Sequence, residues 1–180
     1  MQQDVLILGI TGSLGQAVAR AMAARGWQIR ALHRDPETAG KRLQGLGPIA
    51  WLRGDAMNGD EVAAAARGAR IIVHAVNPPG YRNWRGLAIP MLANTIAAAR
   101  SSGARILFPG NVYNYGPDAF GAVTELSPRN PRTRKGRIRV EMETMLADGA
   151  GQGARAIILR AGDFFGANGA SSWFENALVK

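Results

Sequence analysis

The chain has no cysteine among its 180 residues. Disulfides and thiolate metal sites are therefore excluded, and the composition fits a reducing compartment. It has only two histidines, His33 and His74, in unrelated contexts, so a metal centre has little to be built from. No stretch approaches the ~20 apolar residues that a membrane-spanning helix needs. The opening "MQQDVLILGI" lacks a basic leader and enters a strand-like run at once. No secretory signal and a cytoplasmic location are expected. Acidic residues are also scarce, at 13 against 22 basic ones, for a net charge of +9. Such a balance favours anionic partners, whether nucleic acid, a phosphorylated cofactor or an acidic substrate.

Nearly half the residues are hydrophobic (47%) and glycine is plentiful, which indicates a globular α/β domain of ordinary size spanning residues 1–180. Short apolar runs alternate with helical patterns. The runs "DVLILG", "WQIRALHR", "IAWLRGD", "ARIIVHAV", "ARILFPG" and "ARAIILRAG" predict six strands. Helices are expected between them, with Asn58 as one N-cap, a long helix from about Trp84 to Arg100, and a last one in "SSWFENALV". Continuous apolar strands separated by helices mean a parallel sheet covered on both faces. The predicted fold is a doubly wound sheet of order 3-2-1-4-5-6.

The turn "GITGSLG" puts Gly9, Gly12 and Gly15 between the first strand and the first helix, with Thr11, Ser13 and Leu14 among them. A dinucleotide pyrophosphate requires a tight turn, close backbone approach and N–H groups at a helix N-terminus. The spacing here is G-x-x-G-x-x-G. The second strand ends "ALHRDP", where an acidic residue would suit a ribose 2′-hydroxyl and an arginine suits a 2′-phosphate. Arg34 makes NADP the expected cofactor, with NAD possible.

These glycines resemble those of the extended or atypical branch of the short-chain dehydrogenase/reductase superfamily, the epimerase/dehydratase-like proteins. "RGDAMN" resembles its Gly-Asp element, which implies that Asp55, with Ala56 beside it, contacts the adenine. "VHAVNPP" resembles the loop beside the cofactor, which nominates Ala75, Val76 and Asn77. "RAGDFFGANG" resembles a later segment, with Phe in the aromatic place. Members of the branch normally continue into a C-terminal substrate domain, which would be largely absent here.

Ordinary members also carry Tyr-x-x-x-Lys on the helix after the fifth strand, because residues four apart share a helix face. The corresponding stretch, "RNPRTRKGRIRVE" at 129–141, has six Arg or Lys among thirteen residues. Cations are disfavoured at a helix N-terminus, so this cluster either is a solvated face or meets an anion. Aligning by Pro131 and Glu141 puts Thr133 in the Tyr place and Arg137 in the Lys place. The companion Ser/Thr falls on Asn111 of "GNVYNYG".

A threonine cannot act as a phenol, whereas Arg137 keeps a fixed charge that can hold a ribose or phosphate. Arg137 is thus read as facing the crevice and Arg132, Arg134 and Arg139 as solvated. Arg137–Glu141 and Arg139–Glu143 are read as i,i+4 pairs. Tyr113 and Tyr115 are candidate replacements for the acid/base. No aromatic or recognition-helix pattern interleaves with the charges, so nucleic acid is not expected.

Two functions remain open: an NADP-dependent oxidoreductase or epimerase on a small hydroxylated or nucleotide-sugar substrate, and a catalytically silent dinucleotide sensor. A homodimer is also expected, through the helices after the fourth and fifth strands. Its motive is the apolar set Trp84, Leu87, Met91, Leu92 and Ile96.

Overall fold

A computed structural model describes residues 3–78, 80 and 82–162. Six strands form one sheet: β1 (Asp4–Leu8), β2 (Gln28–His33), β3 (Ile49–Arg53), β4 (Ile71–His74), β5 (Arg105–Asn111) and β6 (Ala156–Ala161). Their order is β3-β2-β1-β4-β5-β6 and every pairing is parallel. Between them run α1 (Ser13–Ala23), α2 (Pro36–Arg42), α3 (Gly59–Ala66), α4 (Trp84–Ser102) and α5 (Arg134–Gly151). The order expected from the apolar runs is the order found.

Alternation along β1 explains why it reads as an unbroken apolar run. Val5 and Ile7 enter one core with Ile10, Ala19, Ile29 and Val73, while Leu6 and Leu8 enter the other with Ile72, Ile106 and Phe108. Helices α3, α4 and α5 close the second core through Val62, Leu92, Ile138, Met142 and Leu146. Each fully buried Leu or Ile of this kind stabilises the fold by roughly 1.5–3 kcal/mol.

The caps follow the local sequence. Asn58 Oδ1 accepts from the N–H groups of Asp60 and Glu61, as expected, and Gly103 ends α4 at φ 73°. Thr133 caps α5 by accepting from Gly136 N at 3.0 Å. That bond satisfies one backbone donor at the end where the basic residues conflict with the helix dipole.

The apolar residues offered for a dimer do not form an outer face. Trp84 and Leu92 are buried in the core, Ile96 packs against it, and Leu87 and Met91 line a cleft. The stripe Trp84, Ala88, Leu92, Thr95, Ala99 is one helix face turned inward. This corrects the surface on which the homodimer was expected. The last expected helix, and the aromatic of "RAGDFFGANG", lie outside the described residues. Among those residues, no helix is long and apolar enough to cross a membrane.

Candidate functional site

Strands β1 and β4 are neighbours, but the chain leaves β1 for β2 on one side and β4 for β5 on the other. At such a switch the loops diverge and leave a crevice beyond the strand ends. Here it is a cleft of about 650 Å³.

One wall is the turn from β1 into α1. Gly9 has φ 86°, and a Cβ there would stand 2.5–2.6 Å from the backbone of Ala75 and Val76. Gly12 N donates to Gly9 O at 3.1 Å, which closes the turn. A Cβ on Gly15 would overlap the Gly9 carbonyl, so its absence lets α1 rest on the turn. No side chain caps α1 and no acidic residue stands in its first turn, so its partial positive end is not neutralised locally.

The second wall comes from the ends of β2 and β3. Arg34 is exposed and lines the cleft, and its carbonyl accepts from Arg53 Nη1 at 3.1 Å. The neighbouring acid is committed elsewhere. Asp35 Oδ1 accepts from Thr38 N at 3.2 Å as the α2 cap, and hydrogen bonding from the Thr38 side chain, then from its backbone N–H, holds the Asp35 carboxyl below the usual range. Asp55 and Ala56 also line the cleft, and Asp55 Oδ1 accepts from Met57 N at 2.9 Å.

The third wall is Ala75, Val76 and Asn77, with Asn77 Oδ1 accepting from Trp84 Nε1 at 2.8 Å. All of Gly9, Thr11, Gly12, Ser13, Leu14, Gly15, Arg34, Asp55, Ala56, Ala75, Val76 and Asn77 thus border one cavity.

The residues nominated for chemistry lie elsewhere. Asn111 Oδ1 accepts from Tyr113 N at 3.0 Å, capping the short turn Val112–Asn114. Tyr115 is buried, its hydroxyl donating to Thr124 O at 3.3 Å and its ring under Arg160. Tyr113 and Thr133 are likewise not among the lining residues.

Arg137 corrects the reading of α5. It is exposed, donates to Arg132 O at 3.1 Å and does not reach the cleft. Arg139, read as solvated, does reach it. Its guanidinium lies 5.1 Å from the Trp84 ring and 5.6 Å from the Phe108 ring, with Nη1 donating to Pro109 O at 3.3 Å.

The expected i,i+4 pairs are also replaced. Glu141 receives Arg85 of α4 at 2.7 and 3.1 Å, and Glu143 receives Arg160 of β6 and Arg129. Ion pairing between elements prevails because Glu143 is buried, where water does not screen the charges. The signal for the true register was the stripe Ile138, Met142, Leu146, spaced by four, which fixes the inward face and sets Arg139 at its edge.

His74 was not nominated. It lines the cleft, is 3% exposed and stacks on Phe108 with ring centres 5.8 Å apart. Burial, with a smaller contribution from the Arg139 charge, pushes its pKa from 6.5 down to about 3. The unfolded chain therefore binds a proton that the folded chain refuses. The group leaves stability independent of pH above about pH 6.5, and stability falls by up to ~1.4 kcal/mol per pH unit as the pH drops from there towards 3. Thermal unfolding of wild type and His74→Phe at pH 7 and pH 5 checks this. The variant is expected to lose distinctly less stability, and an equal loss contradicts the assignment.

The sequence profile of the NAD dependent epimerase/dehydratase family matches residues 5–178. The chain belongs to that family, as the resemblance in its motifs implies. It is 30% identical over 153 residues to Protein YeeZ of Escherichia coli (strain K12), covering 80% of this chain and 53% of that protein. Among solved structures, UDP-glucose 4-epimerase from Brucella ovis in complex with NAD superposes with a TM-score of 0.74 at 19% identity. That match covers 88% of this chain and 51% of the other. The Bordetella bronchiseptica enzyme WbmH, in complex with NAD+, gives 0.76 at 18% identity, covering 95% and 59%. The chain thus spans about half the length of the relatives it matches.

Proposed function

We propose that the cleft binds a dinucleotide, NADP(H) in preference to NAD(H), and that the chain serves an oxidoreductase or epimerase acting on a small hydroxylated or nucleotide-sugar substrate. The observation that carries this reading is the Gly9–Gly15 turn. Missing Cβ atoms bring backbone and an uncapped helix N-terminus to the rim of a cavity that also holds a cation at the end of β2. Those features suit a pyrophosphate and a 2′-phosphate.

Gly9, Thr11, Gly12, Ser13, Leu14 and Gly15 would hold the diphosphate, Arg34 the 2′-phosphate, Asp55 and Ala56 the adenine side, and Ala75, Val76 and Asn77 the far half. Arg139 takes over the role first given to Arg137, a fixed cation beside the reactive end. When bound, the nicotinamide supplies hydride transfer, which the protein orients. The solved UDP-sugar epimerases bound to NAD or NAD+ support the class, as does the cysteine-free composition for a cytoplasmic location.

A second reading, the silent sensor, has its own observation. Four residues before Arg139 stands Lys135, and none of the described lining residues is a tyrosine. A guanidinium cannot perform a phenol's proton transfer near neutral pH, and Lys135 is not among the residues that line the cleft.

Titration with NADPH and NADH tests the cofactor assignment. Wild type is expected to prefer NADPH by roughly tenfold or more, the worth of a charge-assisted contact, and Arg34→Ala to remove most of that preference. Equal affinity of the wild type for both would refute it.

A further inference from the structure

The hydrogen bonds around His74 fix what its ring can offer. The Thr95 hydroxyl donates to Met91 O at 3.0 Å. Its oxygen, 2.8 Å from His74 Nδ1, must therefore accept, and the network assigns the ring proton to Nδ1. Nε2 is left as a lone-pair acceptor. It is buried and has no hydrogen-bond partner among the described residues, in a side chain that borders the cleft beside Phe108, Met142 and Arg139. Protonation would make Nε2 a donor, but burial and the adjacent guanidinium both oppose it. The ring is held as a neutral acceptor.

We propose that His74 Nε2 accepts a hydrogen bond from a neutral donor, a carboxamide N–H or a sugar hydroxyl, of the molecule bound in the cleft. This makes His74 a specificity-determining residue. It rests on the reading that a dinucleotide occupies the cavity. An unpaired buried acceptor is a cost to the free protein, and a ligand donor placed against it relieves that cost. An anionic oxygen at the same point would be repelled by the lone pair, whereas a hydroxyl or amide would be retained. The donor can come from the cofactor or from the substrate, and both present this chemistry.

With only two histidines in the chain, selective ¹⁵N labelling of histidine gives two ring systems, which His33→Gln assigns. Spectra are recorded for the free protein, with saturating NADPH, and with NADPH plus UDP-glucose. The Nε2 resonance of His74 is expected to move upfield, as an imidazole acceptor nitrogen does on gaining a hydrogen bond. Movement in the second arm makes the cofactor the source, and movement only in the third makes it the sugar.

His74→Phe keeps the stack on Phe108 and leaves the Thr95–Met91 bond intact. It is expected to weaken the ligand of the responding arm about tenfold while leaving thermal stability at pH 7 unchanged or raised. NADPH bound with an unmoved Nε2 signal in both arms, or unchanged affinity in His74→Phe, overturns the proposal alone. Failure of the wild type to bind NADPH overturns it together with the dinucleotide reading.

Discussion

Glu143→Ala is expected to destabilise the fold by about 3 kcal/mol. The carboxylate is 1% exposed and receives Arg160 through Nε at 3.1 Å and Nη2 at 2.6 Å, with Arg129 Nη1 at 3.2 Å. These contacts tie α5 to β6 and to the segment entering the helix. Breaking a buried pair commonly costs 3–5 kcal/mol because the surviving charge is stranded. Here the survivors can reach solvent, since their side chains are 20% and 36% exposed for Arg160 and Arg129. The expectation therefore sits at the low end of that range. Glu143 is also one turn beyond Arg139, so losing it frees the helix that holds the cleft cation. Urea unfolding of wild type and variant measures the effect, and a loss below about 1 kcal/mol would show that the pair is screened like a surface one.

Gly9→Ala is expected to cost roughly 2–6 kcal/mol and to remove dinucleotide binding. Two penalties combine: a left-handed backbone at φ 86°, worth about 1–3 kcal/mol for a residue with a side chain, and a methyl group driven into the Ala75–Val76 backbone, worth about 1–3 kcal/mol. Gly12→Ala is the control. Its backbone is extended, at φ −75° and ψ 158°, and the nearest atom to a new Cβ is 3.5 Å away. Its stability should change by less than about 1 kcal/mol, while the added methyl at the rim weakens binding. Equal destabilisation of the two variants would mean that the turn relaxes more freely than its contacts imply.

The sheet was legible because each strand is an apolar run with its own helix behind it, and a parallel sheet leaves few arrangements for six such units. The cleft was legible for a related reason. Its walls are local strand-to-helix turns, and residues such as Gly9, Arg34 and Asn77 are placed by their immediate neighbours in sequence.

The register of α5 was misread. Arg137 and Arg139 are two residues apart, nearly opposite one another on a helix, and charge alone does not say which turns inward. Ile138, Met142 and Leu146 decide it, because their spacing of four sets the inward face of the helix and a frame aligned on Pro131 and Glu141 does not register that face. The partners of Glu141 and Glu143 were hidden for a different reason. Arg85 and Arg160 are 56 and 17 residues away in the chain, so only the folded sheet brings them near. His74 was passed over because its meaning depends on Thr95, one helix distant.

The most direct test of the central claim, that this cleft is a dinucleotide site, is to map backbone amide shifts on adding NADPH to the ¹⁵N-labelled protein. The largest changes are expected at Gly9, Thr11, Gly12, Ser13, Leu14, Gly15, Arg34, Asp55, Ala56, Ala75, Val76 and Asn77. Little is expected at Asn111, Thr133 and Arg137, which lie outside the cavity. Changes confined to the exposed arginines at the start of α5, or no changes at saturating NADPH, would contradict it.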